Sequence, residues 1–152
     1  MNLETKQRHI LALQEHLSAK IKLTEDGLKS LKESRDGETK STAGDKHETG
    51  RALVQTEMDN LQRQLNTQLS QHTILKEIPT NKIHIKIGYG SLVRFNNMNY
   101  LIATGMGSIR SLGVPKFFAI SIEAPIFMAL NGKKIGDDIV FNGMKHSIES
   151  IC

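Results

Sequence analysis

The chain has 152 residues, of which 38% are apolar, 5% aromatic and 24% charged, with no Trp, a composition too thin in large side chains for an extensive enzyme core. A single Cys at position 152 excludes a disulfide framework and any multi-cysteine zinc site, and it fits a reducing compartment. The formal net charge is +4, and it is uneven: residues 1–78 hold 12 basic and 12 acidic side chains, residues 79–152 hold 8 and 4, a surplus that fits an acidic partner without itself arguing for nucleic-acid binding.

Residues 3–33 place Leu3, Ile10, Leu17, Ile21, Thr24, Leu28 and Leu31 on the a and d positions of one heptad register, with Gln14 at an a position. Residues 51–77 repeat the pattern with Val54, Met58, Leu61, Leu65, Gln68, His72 and Leu75. Pro is absent before position 79 and Leu, Lys, Glu and Gln dominate, which predicts two helices with a coiled-coil seam. At 1.5 Å per residue each would run roughly 40–46 Å. Residues 34–50 between them are polar, with three Gly and several capping types. Two readings fit: an antiparallel hairpin, or one long dimeric coiled coil with a gap. Gly37 and Gly44 favour the hairpin, because they break a continuous rod.

After Pro79 the texture becomes β-like. Ile83-His-Ile-Lys-Ile87 alternates as a half-buried strand does. Leu92–Phe95 and Tyr100–Ala103 flank a turn at Asn96–Asn99, and Phe117–Ile122 reads as an interior strand. Pro125–Leu130 is expected to be a short helix, with Pro at its first position and Gly132 past its end. Ile139–Phe141 and His146–Ile151 flank Asn142-Gly143, the favoured pair of a type I′ turn. The expected fold class is therefore α+β: an N-terminal antiparallel helical hairpin over residues 1–78, with its tip at about 34–50, and a small, mainly antiparallel β domain with one short helix over residues 79–152.

No catalytic signature is present: the chain has no phosphate-binding loop ending in Lys-Ser/Thr, no HExxH, no nucleophile elbow and no CxxC. Gly88-Tyr-Gly90 and Gly105-Met-Gly107 lack a strand-turn-helix setting and read as turns. His72 falls on the seam; His9, His16, His84 and His146 read as surface or boundary residues. No apolar run approaches the roughly 20 residues of a membrane span, and the opening Met1–Lys6 has no apolar signal core, so a cytoplasmic protein is expected. The acids of interest are Asp45 and Glu48, at i,i+3 where the second helix begins. That spacing puts two carboxylates on one side of a helical turn, able to share a hard cation such as Mg²⁺. It is also the spacing of a capping box, favoured by the helix dipole, and the two readings are compatible.

Two segments in this layout resemble the bacterial Gre transcript-cleavage factors. Gly44-Asp45-Lys46-His47-Glu48 resembles the family's tip motif, a Gly-Asp pair followed, after two intervening residues, by a second acid. Ser121-Ile-Glu-Ala-Pro125-Ile-Phe-Met-Ala-Leu130-Asn-Gly132-Lys-Lys-Ile-Gly136-Asp137 resembles its C-terminal signature. The resemblance implies a coiled-coil finger followed by an FKBP-like domain, in a protein that is no enzyme of its own. It implies docking on RNA polymerase through Glu123, Ala124 and Pro125, and entry of the finger into the secondary channel. Asp45 and Glu48 would there support the Mg²⁺ of the polymerase active centre, in trans, as it cuts the 3′ end of backtracked RNA. The chain would bring no cofactor of its own and act as a monomer on DNA-bound transcription complexes. There are departures: Thr49-Gly50-Arg51-Ala52 stands where the family usually has Asn-Ala-Glu-Tyr, Ala124 where it has Ser, and Phe127 where a small residue is usual. These leave open a diverged regulator that binds polymerase without stimulating cleavage. A prolyl isomerase, which needs an aromatic-lined pocket, and a coiled-coil adaptor are the competing classes.

Overall fold

The computed structural model describes residues 1–38 and 45–152, with the side chains of residues 38 and 45–47 outside the described set. Helix α1 spans Leu3–Glu38 and α2 spans Asp45–Lys76. Both run past their expected inner ends: α1 takes in Ser34–Glu38 and α2 starts six residues before Arg51. Asn2 caps α1, its Oδ1 accepting the Thr5 amide at 2.8 Å. Among the described residues no helix is long and apolar enough to cross a membrane.

Compactness divides the chain into two units, Leu17–His72 and Met1–His16 with Thr73–Cys152. The first is the paired helices. Leu17, Thr24, Leu28, Met58 and Gln68 are buried along the heptad seam, while Leu61 and Leu65, expected to be fully buried, are only half covered. A two-helix pair covers each seam residue from one side, so its flanks stay wet. Gly27 admits the closest approach: a Cβ there would stand 3.3 Å from Leu61 Cδ1.

The second unit holds a five-stranded sheet. Strands β1 (Leu92–Phe95), β2 (Met98–Ala103), β3 (Gly107–Ser111), β4 (Val114–Ser121) and β7 (Ser150–Ile151) stand in the order β3-β4-β2-β1-β7. β1 and β2 form a hairpin whose turn is only Asn96-Asn97, at φ 49° and 56°. Two left-handed residues make the tight turn that suits strand twist, so Met98 and Asn99 join the strand instead of the loop. β4 runs parallel to β2, pairing Asn99 with Phe117 through Ala103 with Ser121. The intervening β3, which the sequence did not reveal, supplies the excursion a parallel pair requires and folds back antiparallel onto β4. Helix α3 (Pro125–Leu130) and a separate hairpin of β5 (Asp138–Phe141) and β6 (Met144–Ser147) complete the unit. The single strand expected over His146–Ile151 is therefore two strands in two sheets. Asn142 and Gly143, at φ 51° and 74°, form the β5–β6 turn as expected.

One face of the large sheet carries Val93, Phe95, Tyr100, Ile102 and Ile151, packed with Phe127, Leu130, Ile139 and Ile148. The opposite face presents Asn99, Leu101 and Phe117, all buried. Onto Asn99 and Phe117 packs the base of α1, where His9 meets the Phe117 ring edge-on at 4.8 Å. Along that base Lys6, His9, Ile10, Ala12 and Leu13 are all buried, a broader stripe than the two-helix seam.

Ile83-His-Ile-Lys-Ile87 is not a strand. Among the described residues it has no ladder partner, it bends at Ile85-Lys86, and its burial departs from strict alternation: His84 is 9% exposed, Ile83 66% and Ile85 79%, while Ile87 is buried in the core. The cause is the backbone at its two ends: Lys6 Nζ donates to Lys82 O at 2.6 Å, and Ile87 exchanges hydrogen bonds with Gly132 and Lys133.

The fully buried Leu17 and the half-buried Leu61 should separate in urea unfolding. Leu17→Ala is expected to cost about 2–4 kcal/mol and Leu61→Ala roughly half as much, while Leu23→Ala, at 72% exposure, leaves the midpoint in place. Equal losses at all three positions would contradict a one-sided seam.

Candidate functional site

The acids of the tip motif lie at the start of α2. Asp45 is its first residue and Glu48 its fourth, so both stand in the first turn. Glu48 is exposed; the side chain of Asp45, and with it the expected capping geometry, lies outside the described residues. Acids in a first turn are favoured by the helix dipole. Arg51 follows Glu48 by three residues and is also exposed, so a cation shares that side of the helix. Among the described residues no group of three or more His, Cys, Asp or Glu side chains is placed to hold a metal ion.

The C-terminal motif forms a rigid turn. Ser121 Oγ accepts the Glu123 amide at 3.0 Å, and Ser121 O accepts the Ala124 amide at 3.0 Å. Ala124 occupies the N-cap of α3 in an extended conformation, with no side-chain cap, and Pro125 opens the helix. An alanine in this place leaves the first amides uncapped, while Pro125 has no amide to satisfy. Glu123 and Pro125 are exposed and Ala124 is half-buried. The following Lys133–Asp137 segment is closed by Asp137 Oδ2, which accepts the Lys134 amide at 2.8 Å.

Beside this turn lies a cleft of about 350 Å³ lined by Tyr100, Phe118, Ile120, Ile126, Phe141 and Asn142. Its floor is aromatic, with Tyr100 stacked on Phe118 at 5.6 Å and on Phe95 at 4.4 Å. Lys116 Nζ lies 5.4 Å from the centre of the Phe118 ring. Tyr100, whose hydroxyl burial pushes above its ordinary range, is the only titratable group in the lining, so the cleft can hold an apolar side chain but has no nucleophile or acid–base pair. Sequence reasoning missed it, because β2, β4, α3 and the β5–β6 turn each give only one or two of its residues.

Sequence reasoning also missed the polar cluster at the base of α1. His9 Nδ1 donates to Thr5 O at 2.7 Å, and Asn99 Nδ2 donates to His9 Nε2 at 3.2 Å, which fixes a neutral imidazole between helix and sheet. Burial holds His9 below the usual histidine range. His84 Nε2 is buried without a hydrogen-bond partner. Desolvation first, then the charges of Lys6 and Lys82, lower its pKa from 6.5 to about 4. Lys6 is itself lowered by burial, with Cys152 acting the other way. His9 and His84, expected at the surface or a boundary, are therefore interior. The signal that could have found His9 is the spacing of Lys6, His9, Ile10 and Leu13, one face of a helix; none marked His84.

No protein-family model matches the chain. No curated protein matches it. Among solved structures it is similar to that of the transcription factor Gfh1, at 16% identity and a TM-score of 0.36, over 91% of this chain and 92% of that one. A likeness that loose carries no argument about function.

The two interior histidines set a pH dependence. Unfolded, His84 titrates near 6.5; folded, at about 4, so between those values the unfolded state binds the extra proton. Stability is thus fully present above the unfolded value and falls as the pH drops toward the folded one, and His9 adds in the same direction. The urea midpoint should decline from neutral pH to pH 4, and His84→Gln should make that decline shallower. An unchanged slope in the variant would count against a neutral buried His84.

Proposed function

We propose that the chain is a Gre-like factor that binds RNA polymerase through its secondary channel and stimulates cleavage of backtracked RNA. The observation that carries the reading is the first turn of α2, where the two acids of the tip motif stand at the head of a helix of 32 residues paired with one of 36. At 1.5 Å per residue these helices are about 48 and 54 Å long. Such a pair can present charge to a recessed centre while its own apolar seam keeps it stiff. In this reading Asp45 and Glu48 each bring carboxylate oxygens to the Mg²⁺ of the polymerase active centre. Bound there, the metal would supply activation of water and stabilisation of the attacking and leaving oxygens. The chain contributes ligands and position, and the polymerase remains the catalyst. It acts as a cytoplasmic monomer whose partners are the polymerase and the RNA 3′ end.

Glu123, Ala124 and Pro125 are proposed as the docking turn. The rigidity of that turn and the apolar cleft beginning at Ile126 support this: a charged rim beside an apolar slot suits the insertion of a partner side chain. A second reading, polymerase binding without stimulated cleavage, is favoured by Arg51. Its exposed cation on the acids' side of α2 would oppose metal binding there.

Cleavage assays on stalled elongation complexes test the tip. Asp45→Asn and Glu48→Gln should each abolish stimulation while changing stability by under about 1 kcal/mol, since Asn keeps much of the capping ability of Asp. Asp36→Asn, which matches no motif position, serves as the control and should retain activity. Loss of helix stability with cleavage intact would reduce the acids to a helix cap, and polymerase binding without cleavage in the unmodified chain would favour the second reading.

Docking is read separately by co-purification with polymerase. Glu123→Lys, at an exposed position, should fold normally and lose polymerase binding. Unchanged binding would remove the turn from the interface.

A further inference from the structure

The run Ile83-His-Ile-Lys-Ile87 turns its histidine inward and two isoleucines outward, with Ile83 at 66% and Ile85 at 79% exposure. Ile135, at 60%, is exposed on the loop that follows Gly132 and Lys133. The two segments are held together: Ile87 donates to Lys133 O and accepts from Gly132 N, both at 2.9 Å. Interspersed with the isoleucines are Lys82, Lys86, Lys133 and Lys134, half of the eight cations in residues 79–152. None of these four is in an ion pair among the described residues. The nearest acid in sequence, Asp137, is occupied with the Lys134 amide. Exposed apolar side chains grouped among unpaired charges of one sign mark an interaction surface.

We infer that this face is a docking surface for an acidic amphipathic peptide segment of a partner protein. The three isoleucines take its apolar side chains and the four lysines its carboxylates. Charge selects this occupant over the others. A second copy of the chain, face to face, would set four lysines against four more without an anion between them. A nucleic-acid backbone would satisfy the lysines and leave the isoleucines idle, and the patch has neither an aromatic ring nor an arginine to stack on bases. The backbone bonds at Lys82 and Ile87 already fix the surface, so little ordering is needed on binding. The inference does not depend on the polymerase reading, because none of these residues belongs to the tip or to the Glu123–Pro125 turn.

The test is fluorescence anisotropy with the full chain and a labelled synthetic peptide of Glu-Glu-Leu-Phe repeats. The comparison arms are the same peptide with Ser in place of Leu and Phe, a DNA duplex, and phosphatidylserine vesicles. The amphipathic peptide should bind at least about tenfold more tightly than the Ser peptide, and its binding should weaken with salt. Ile83→Ser/Ile85→Ser and, separately, Lys86→Glu/Lys134→Glu should each weaken it by about tenfold or more. All four positions are exposed, so the melting temperatures should hold. If the isoleucine variant melts early, Ile135→Ser on the adjoining loop gives an independent reading of the same apolar surface. The inference is overturned if the Ser peptide, the duplex or the vesicles bind as well as the amphipathic peptide. It is equally overturned if the folded isoleucine or lysine variants bind it unchanged.

Discussion

Strand β2 is covered on both faces, and the architecture of its unit follows from that. Tyr100 and Ile102 point into one apolar core, Asn99 and Leu101 to the other side. A strand buried twice needs two covering layers. α3 and the β5–β6 hairpin supply one; the base of α1 supplies the other through His9, while Lys6 and Gln7 bond the backbone of Lys82 and Thr80. The polar groups on that second side are the price of letting a helix that is amphipathic for one partner pack against another. Asn99 bonds His9, the Lys6 ammonium finds a carbonyl, and His84 Nε2 is left without a partner. Buried polar groups are costly when unpaired, and the two lowered histidines make this junction acid-sensitive.

The motif-bearing residues sit where their local backbone, rather than a deep pocket, sets their geometry. Glu48 owes its position to a helix start, and Glu123 and Pro125 owe theirs to a serine-stabilised turn. Among the described residues, neither place groups enclosed carboxylates with histidines. His9, His84 and Lys6, whose pKa values burial lowers, lie instead in the packing around the base of α1. Their shifts report burial, not chemistry.

Much of this was legible in the chain itself. The heptad seam was readable because a 3.5-residue period over two long stretches has no competing explanation, and it correctly picked out Leu17, Leu28, Met58 and Gln68. Asn142-Gly143 and the Pro125–Leu130 helix were readable because left-handed φ and the missing proline amide leave few alternatives. The failures have equally specific causes. In Ile83–Ile87 the sequence alternates, but a period of two does not say which residues face inward: His84 and Ile87 are buried while Ile83, Ile85 and Lys86 are exposed. β3 has one buried residue, Ile109, between Gly107 and Ser111, too little pattern to see. Lys6 and His9 were hidden because a polar residue on a helix is ordinarily solvated. Of the site, the acids and the Glu123–Pro125 turn stood out as contiguous motifs, whereas the aromatic cleft is assembled from parts of the chain far apart in sequence.

The edge of the sheet has a consequence for synthesis. β7 is two residues long, and it closes β1 by pairing Ile151 with Val93 and Ser150 with Arg94. On a ribosome, β1 and β2 can form their hairpin as soon as they emerge, but the outer edge of β1 must wait for a segment far downstream. During that interval Leu92, Val93 and Phe95, all fully buried in the finished fold, line an open strand edge, the kind of surface that recruits other nascent chains. The brevity of β7 hides this debt in the mature molecule. It makes the interval between translating Phe95 and translating Ile151 the period when a holding chaperone would matter most for this chain.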